Sequence, residues 1–218
     1  ILVISWVLAT IEKFFHKKLK GTADFLITPM LTLLITGFLT FIVIGPIMRS
    51  LGTALGHGLQ TVYEAGGPIG GFLFGLVYSP IVITGLHQSF PPIELQLQQQ
   101  GGSFIFATAS MANIAQGAAT LAVFLLAKGE KLKGLAGASG VSAVLGITEP
   151  AIFGVNLRLR WPFFIGIGSA AVGGALIALL NVKAVALGAA GFLGVVSIKA
   201  EDMGPFMICA VITFIVSF

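Results

Sequence analysis

The sequence predicts an all-α, polytopic integral membrane protein, built from transmembrane helices, an amphipathic interfacial helix and two re-entrant hairpins. Three observations carry this. Hydrophobic residues make up 56% of the 218 residues and charged residues 9%, against about 25% charged in soluble domains. The mean hydropathy is +1.03. Apolar runs of roughly 20 residues recur, the length a helix needs to cross about 30 Å of hydrocarbon. These runs do not alternate as the strands of a membrane barrel would. The 29 glycines suit close helix packing and interrupted helices in lipid.

Ile1 to about Thr10 reads as the tail of a span, and the lysines at 13, 17, 18 and 20 form the next loop, with His16 among them as a solvated loop or interface residue. Short loops rich in Lys and Arg stay in the cytoplasm, so this loop is placed inside. Phe25 to Ile47 is a clear span leading outward. Met48 to Ala65 differs: Leu51, Leu55, Leu59 and Val62 recur at helical spacing, opposite Arg49, His57, Gln60, Tyr63 and Glu64. That pattern fits an amphipathic helix at the interface. Arg49 belongs either to its polar face or to the wall of a substrate cavity.

Gly66 to Phe90 is apolar and glycine-rich, with Pro80 expected to kink or break it. It ends on T-G-L-H-Q-S-F-P-P-I-E-L, where His87 and Gln88 precede Pro91 and Pro92 and Glu94 lies seven residues beyond His87. The paired prolines are expected to stop a helix. Gln96, Gln98, Gln99 and Gln100, followed by two glycines, read as a turn. Phe104 to Ala127 is the next span, with Asn113 and Gln116 inside it, available to bond between helices or to meet ligand hydroxyls. K-G-E-K-L-K, Lys128 to Lys133, is a second basic inner loop. Gly66–Gly102 must then enter and leave from one side as a re-entrant hairpin. By the same logic Gly134–Arg160 is a hairpin from the cytoplasm, with Arg158 and Arg160 back at the inner surface. Opposed hairpins with broken tips near the midplane are a recurring transporter design. Pro162 to Leu180 is a further span. Asn181 to Gly194 is a weaker hydrophobic segment, and Phe206 onward begins a last span. Both chain ends fall inside apolar runs, so a fragment of a longer membrane domain is expected.

The stretch Ser139 to Pro162, S-G-V-S-A-V-L-G-I-T-E-P-A-I-F-G-V-N-L-R-L-R-W-P, carries a single carboxylate, Glu149. Pro150 disfavours helical backbone at the residue before it. A carboxylate in so apolar a setting is either a loop residue between spans or a functional group at membrane depth. G-I-T-E-P, continued by A-I-F-G-V-N-L-R, resembles the signature of the membrane component (enzyme IIC) of bacterial sugar phosphotransferase systems, within the glucose superfamily and its sucrose and trehalose branch. The stretch T-G-L-H-Q-S-F-P-P-I-E-L resembles the segment of that family in which a histidine faces the sugar. The resemblance covers the whole chain. Relatives often carry a second histidine where this chain has Gln88, so no role needing two histidines is carried over.

The resemblance implies a multi-pass protein of the bacterial cell (inner) membrane and a homodimer. Residues 1–48 would end its scaffold and dimerisation part, and residues 49–218 would form its sugar-binding transport part. It implies phosphoenolpyruvate-dependent uptake of a disaccharide, sucrose first, with trehalose or N-acetylmuramic acid as alternatives. The sugar would be phosphorylated by a phosphocysteine on a separate IIB domain. The site residues implied are His87 and Glu149, as candidate bases and sugar ligands, with Gln88, Gly146, Ile147, Thr148, Asn156 and Arg49 as further sugar contacts. Chemistry agrees: a carboxylate accepts two hydroxyl protons and histidine donates or accepts. An ion-coupled secondary sugar transporter, with Glu149 as proton or sodium carrier, is the alternative.

No G-x-x-x-x-G-K-[ST] loop occurs, so direct use of ATP is not expected. No cluster has metal-ligand spacing, and neither metal nor other cofactor is expected. The net charge of +4 comes from loop residues, so nucleic acid is not an expected partner. Cys209 lies in an apolar run and is expected to pack, not to react.

Overall fold

A computed structural model describes the backbone of residues 2–99 and 101–218. Gln100 and the side chains of Leu55, His57, Leu59, Val62 and Glu64 lie outside the described residues. The chain divides into two compact units, residues 1–55 and 56–218.

In the first unit α1 (Leu2–Lys18) packs on α2 (Thr22–Leu39). The lysine-rich stretch expected as a loop is helical as far as Lys18. His16 is half exposed and pairs with α2: its Nδ1 lies 2.7 Å from Asp24 Oδ1, and Thr28 donates to the same carboxylate at 2.6 Å. Thr28, Thr32 and Thr36 are buried at four-residue spacing, so one polar stripe of α2 faces protein. A wide π-helical turn, Thr40–Ile44, joins α2 to α3 (Gly45–Gly66). Span and interfacial segment therefore form one helical path, and the expected amphipathic segment is helical in its backbone.

The second unit is organised on α6 (Phe104–Leu126). Of its most apolar window 78% is buried, against 50% for α10 (Trp161–Leu179) and 28% for the window ending in α11 (Met203–Ser217). Those three helices and Thr22–Leu51 are the four, among the described residues, long and apolar enough to cross a membrane.

α10 packs on α4 (Pro68–Thr84) and on α6. Small residues permit this approach. A Cβ on Gly71 would collide with the Gly174 carbonyl, and one on Gly75 with that of Ala170. Contact between backbones is the usual way helices associate without a hydrophobic driving force between them. The pairs 71–174 and 75–170 show that α4 and α10 run antiparallel. Pro80 sits inside α4 without ending it.

α4 ends at Gly85, whose φ of 77° supplies the left-handed turn that glycine adopts without penalty. A 3-10 turn, Leu86–Ser89, follows, then α5 (Pro91–Gln99). Here two expectations fail. Pro91 and Pro92 open a helix, because proline is compatible with a first turn whose N–H groups have no intrahelical partner. Gln96, Gln98 and Gln99 lie on that helix, and the turn falls at Gly101–Gly102. The segment 66–102 still folds back on itself: Phe90 returns beside Phe74 and Tyr78, with ring centroids 6.4 and 6.3 Å away.

α7 (Glu130–Val144) runs antiparallel to α6, with Gly117 against Val144 and Gly137 against Phe124. The chain then turns at 145–148 and returns through a short helical turn, α8 (Glu149–Ala151), a wide turn Ile152–Asn156 and α9 (Leu157–Leu159). Glu149 was expected in non-helical backbone. It is instead the first residue of α8, with the irregular backbone immediately before it and Pro150 in the first turn. The segment after α10 is not a span. Ala184 exchanges backbone hydrogen bonds with Ser103 at 2.7 and 2.9 Å, and Val185 donates to Ser197 at 2.8 Å. Cys209 packs in the buried cluster of Met111, Ile114, Ile177 and Phe206.

Candidate functional site

Two hydrogen bonds place both hairpins on the middle of α6. Gln116 Nε2 donates to Ser79 Oγ of α4 at 3.2 Å. Asn113 Nδ2 donates to the Gly146 carbonyl at the other tip at 3.3 Å. These donors are one turn apart, so α4 at Ser79 and the Gly146 tip meet α6 at neighbouring levels, and His87 follows beyond the end of α4. The Glu149 carboxylate lies within electrostatic reach of both His87 and Tyr78.

The Gly146 tip is tightly determined. Gly146 has φ 107°, and a Cβ there would collide with the backbone of Ala190. Its N–H donates to Ala143 at 2.9 Å, and the Ile147 N–H to Ser142 at 3.0 Å. Ser142 Oγ donates back to the Ile147 carbonyl at 3.2 Å. These bonds hold the backbone while leaving Glu149 exposed. Glu149 has no hydrogen bond or ion pair with the described residues, so its oxygens are free to accept. Thr148 is buried beside it, and the Ile147 side chain is 60% exposed.

At the other tip His87 is half-buried. Gln88 Nε2 lies 3.1 Å from His87 Nε2. An amide N–H only donates, so this contact makes Nε2 the acceptor and puts the ring proton on Nδ1. That Nδ1 is buried without a hydrogen-bond partner. Gln88 itself is exposed. The pair presents one neutral imidazole and one free amide carbonyl next to a free carboxylate.

Asn156 is not brought to these groups. It is fully buried, and its amide is spent. Nδ2 donates to Gln116 Oε1 at 2.8 Å and to the Gln116 carbonyl at 3.0 Å, while Oδ1 accepts from Thr120 at 2.8 Å. Gln116 completes the network by donating to the Phe163 carbonyl at 3.3 Å. Asn156 and Gln116 thus tie the second hairpin to α6 and α10. Arg49 belongs to the first unit, exposed beside a cavity of about 480 Å³ lined by Phe41, Pro46 and Ser50.

Sequence reasoning missed two members of the polar cluster. Tyr78 is buried and lies within electrostatic reach of Glu94 as well as Glu149. Glu94 is a buried carboxylate that accepts a long hydrogen bond from Ser103 Oγ, 3.5 Å. Its place seven residues after His87 was visible, but nothing in the spacing said that the intervening prolines would turn it inward.

An all-helical membrane chain with two interrupted helical hairpins packed on one central helix has the architecture of a transporter. The chain belongs to the family described as Phosphotransferase system, EIIC, whose model matches residues 1–171. It is 52% identical over 222 residues to the PTS system sucrose-specific EIIBCA component of Pediococcus pentosaceus, covering all of this chain and 34% of that protein. It is 55% identical over 208 residues to the PTS system sucrose-specific EIIBC component of Staphylococcus xylosus, covering 93% and 43%. Against the PTS system trehalose-specific EIIBC component of Bacillus subtilis (strain 168) it is 44% identical over 220 residues, covering 100% and 47%. The chain spans a third to just under half of the length of these relatives. No solved structure matches.

Proposed function

We propose that the protein containing this chain takes up a disaccharide by group translocation driven by phosphoenolpyruvate, and that the sugar is sucrose. The observation that carries this is that the unpaired Glu149, next to the Gly146 tip that Asn113 of α6 holds, lies within electrostatic reach of His87 at the end of the other hairpin. Sucrose is favoured over trehalose because the sucrose-specific relatives are 52% and 55% identical and the trehalose-specific one 44%. The sugar hydroxyls lie between Glu149, His87 and Gln88, with the Gly146–Thr148 backbone closing on them. Asn156 supports this site from behind instead of touching sugar.

Phosphorylation needs a base for the departing hydroxyl proton. Glu149 is the better candidate, being exposed and unpaired, and His87 is the second, its Nε2 lone pair becoming available when a sugar hydroxyl replaces the Gln88 amide. The phosphoryl group comes from a phosphocysteine on a IIB domain. Cys209, enclosed in the apolar core, is not suited to that role. The same reading places residues 1–48 in a scaffold part and 49–218 in the transport part of a homodimer in the bacterial inner membrane. The division of the chain at residue 55, within α3, supports a boundary in this helix.

The test is His87→Ala in the intact protein. Losing one hydrogen bond between a neutral imidazole and sugar removes about 0.5–1.5 kcal/mol, or roughly two- to tenfold in affinity. Sucrose binding should weaken by that amount while the protein still inserts. Unchanged affinity would remove His87 from the site.

A further inference from the structure

A cavity of about 550 Å³ opens between the start of α7 and the wide turn after Glu149. Leu132, Leu135, Gly154 and Val155 form its apolar wall, and Lys131 and Arg158 line it as well. Behind it, Val155 packs into the small core of Val123 and Ala136, so the wall is firm. Lys131 and Arg158 are exposed and form no ion pair or hydrogen bond with the described residues. Lys133 is engaged elsewhere, 5.7 Å over the Phe124 ring.

The surroundings are those of a membrane interface. Leu125 and Leu126, at the same end of α6, are 62% and 71% exposed, and Phe153 and Trp161 are half exposed. Exposed aromatics beside cationic residues mark the headgroup level of a bilayer. Basic pockets between helices on the cytoplasmic side recognise anionic lipid headgroups.

We propose that this cavity holds an anionic phospholipid of the cytoplasmic leaflet, its phosphate between Lys131 and Arg158 and an acyl chain along Leu132, Leu135 and Val155. A free phosphate would satisfy the two cations and leave the apolar wall open. A soluble protein would bring charge but no chain to lie along a lipid-level groove. A lipid supplies both.

The experiment uses the intact, delipidated protein in mixed micelles, with phosphatidylglycerol and phosphatidylcholine of identical acyl chains as probes. Retained lipid is measured by native mass spectrometry. With a factor of about five for each cation at the surface, phosphatidylglycerol should be retained about 25-fold over phosphatidylcholine. Lys131→Gln and Arg158→Gln should each reduce that preference about fivefold, and Lys131→Arg should preserve it. Sucrose binding by each variant checks that it is folded. Millimolar glycerol phosphate should not displace the lipid. Equal retention of the two lipids would overturn the proposal, as would an unaltered preference in both Gln variants. Displacement by glycerol phosphate would mean a small-anion site. Variants that keep the lipid preference but lose phosphoryl transfer would mean a protein docking surface.

Discussion

Glu149 and Asn156 lie seven residues apart and have opposite fates, which the residue types alone do not distinguish. Both are polar and both sit in an apolar stretch. Glu149 follows a fixed tip and has no partner among the described residues, whereas Asn156 reaches Gln116 and Thr120, which lie 40 and 36 residues away. Such partners cannot be read from local spacing. The glycine, threonine, glutamate and proline of the tip could be, because their order restricts the backbone directly. The buried amide network makes a separable prediction. Gln116→Leu takes the acceptor from one Asn156 amide hydrogen and the partner from the Ser79 hydroxyl, at about 1–3 kcal/mol for each buried group left unpaired. Thermal unfolding of the detergent-solubilised protein should begin at clearly lower temperature. At low temperature sucrose should still bind, since no sugar contact has been removed. An unaltered melting curve would show that the network adds nothing.

At the scale of elements, hydropathy located the spans to within a few residues: Phe104–Ala127 became Phe104–Leu126, and Pro162–Leu180 became Trp161–Leu179. The breaks were read less well. Pro91-Pro92 and the glutamine tract looked like helix terminators, yet they make up most of α5. Proline stops a helix it follows and is compatible with starting one, and sequence alone does not say which. The strap after α10 was also obscure, because it gains its hydrogen bonds from Ser103 and Ser197 and not from its own neighbours. The contact between α4 and α10 was suggested by glycine content and is now specific. Gly75→Leu should prevent α4 from seating on α10, and little folded protein should survive size-exclusion chromatography. Gly168→Ala, on α10 with open space where its Cβ would fall, should elute as the unmodified protein does. Similar elution of both variants would remove the close-packing explanation.

For the whole molecule, the two basic loops and the hairpins make a topology that can be mapped. Lys17, Lys131 and Arg158 should all face the cytoplasm. Cysteines placed at each should react with a membrane-impermeant reagent in inverted vesicles and stay unreactive in intact cells. Cys209, fully buried, should give no background. Labelling of any one of the three in intact cells would break the hairpin assignment. Class and family were legible from the whole chain, since composition and two motifs survive without any contact map. The meeting of the two tips was not, since it depends on how α4 and α7 pack around α6. The most direct measurement of what that meeting does is sucrose binding and sucrose-phosphate formation on one preparation of intact Glu149→Gln protein. The Gln carbonyl still accepts a hydrogen bond, but the charge and the base are gone. Binding should fall modestly, and phosphorylation of bound sugar should fall by the roughly 10²–10⁴-fold that a general base contributes. Full phosphorylation by Glu149→Gln would contradict the account, whatever happened to binding.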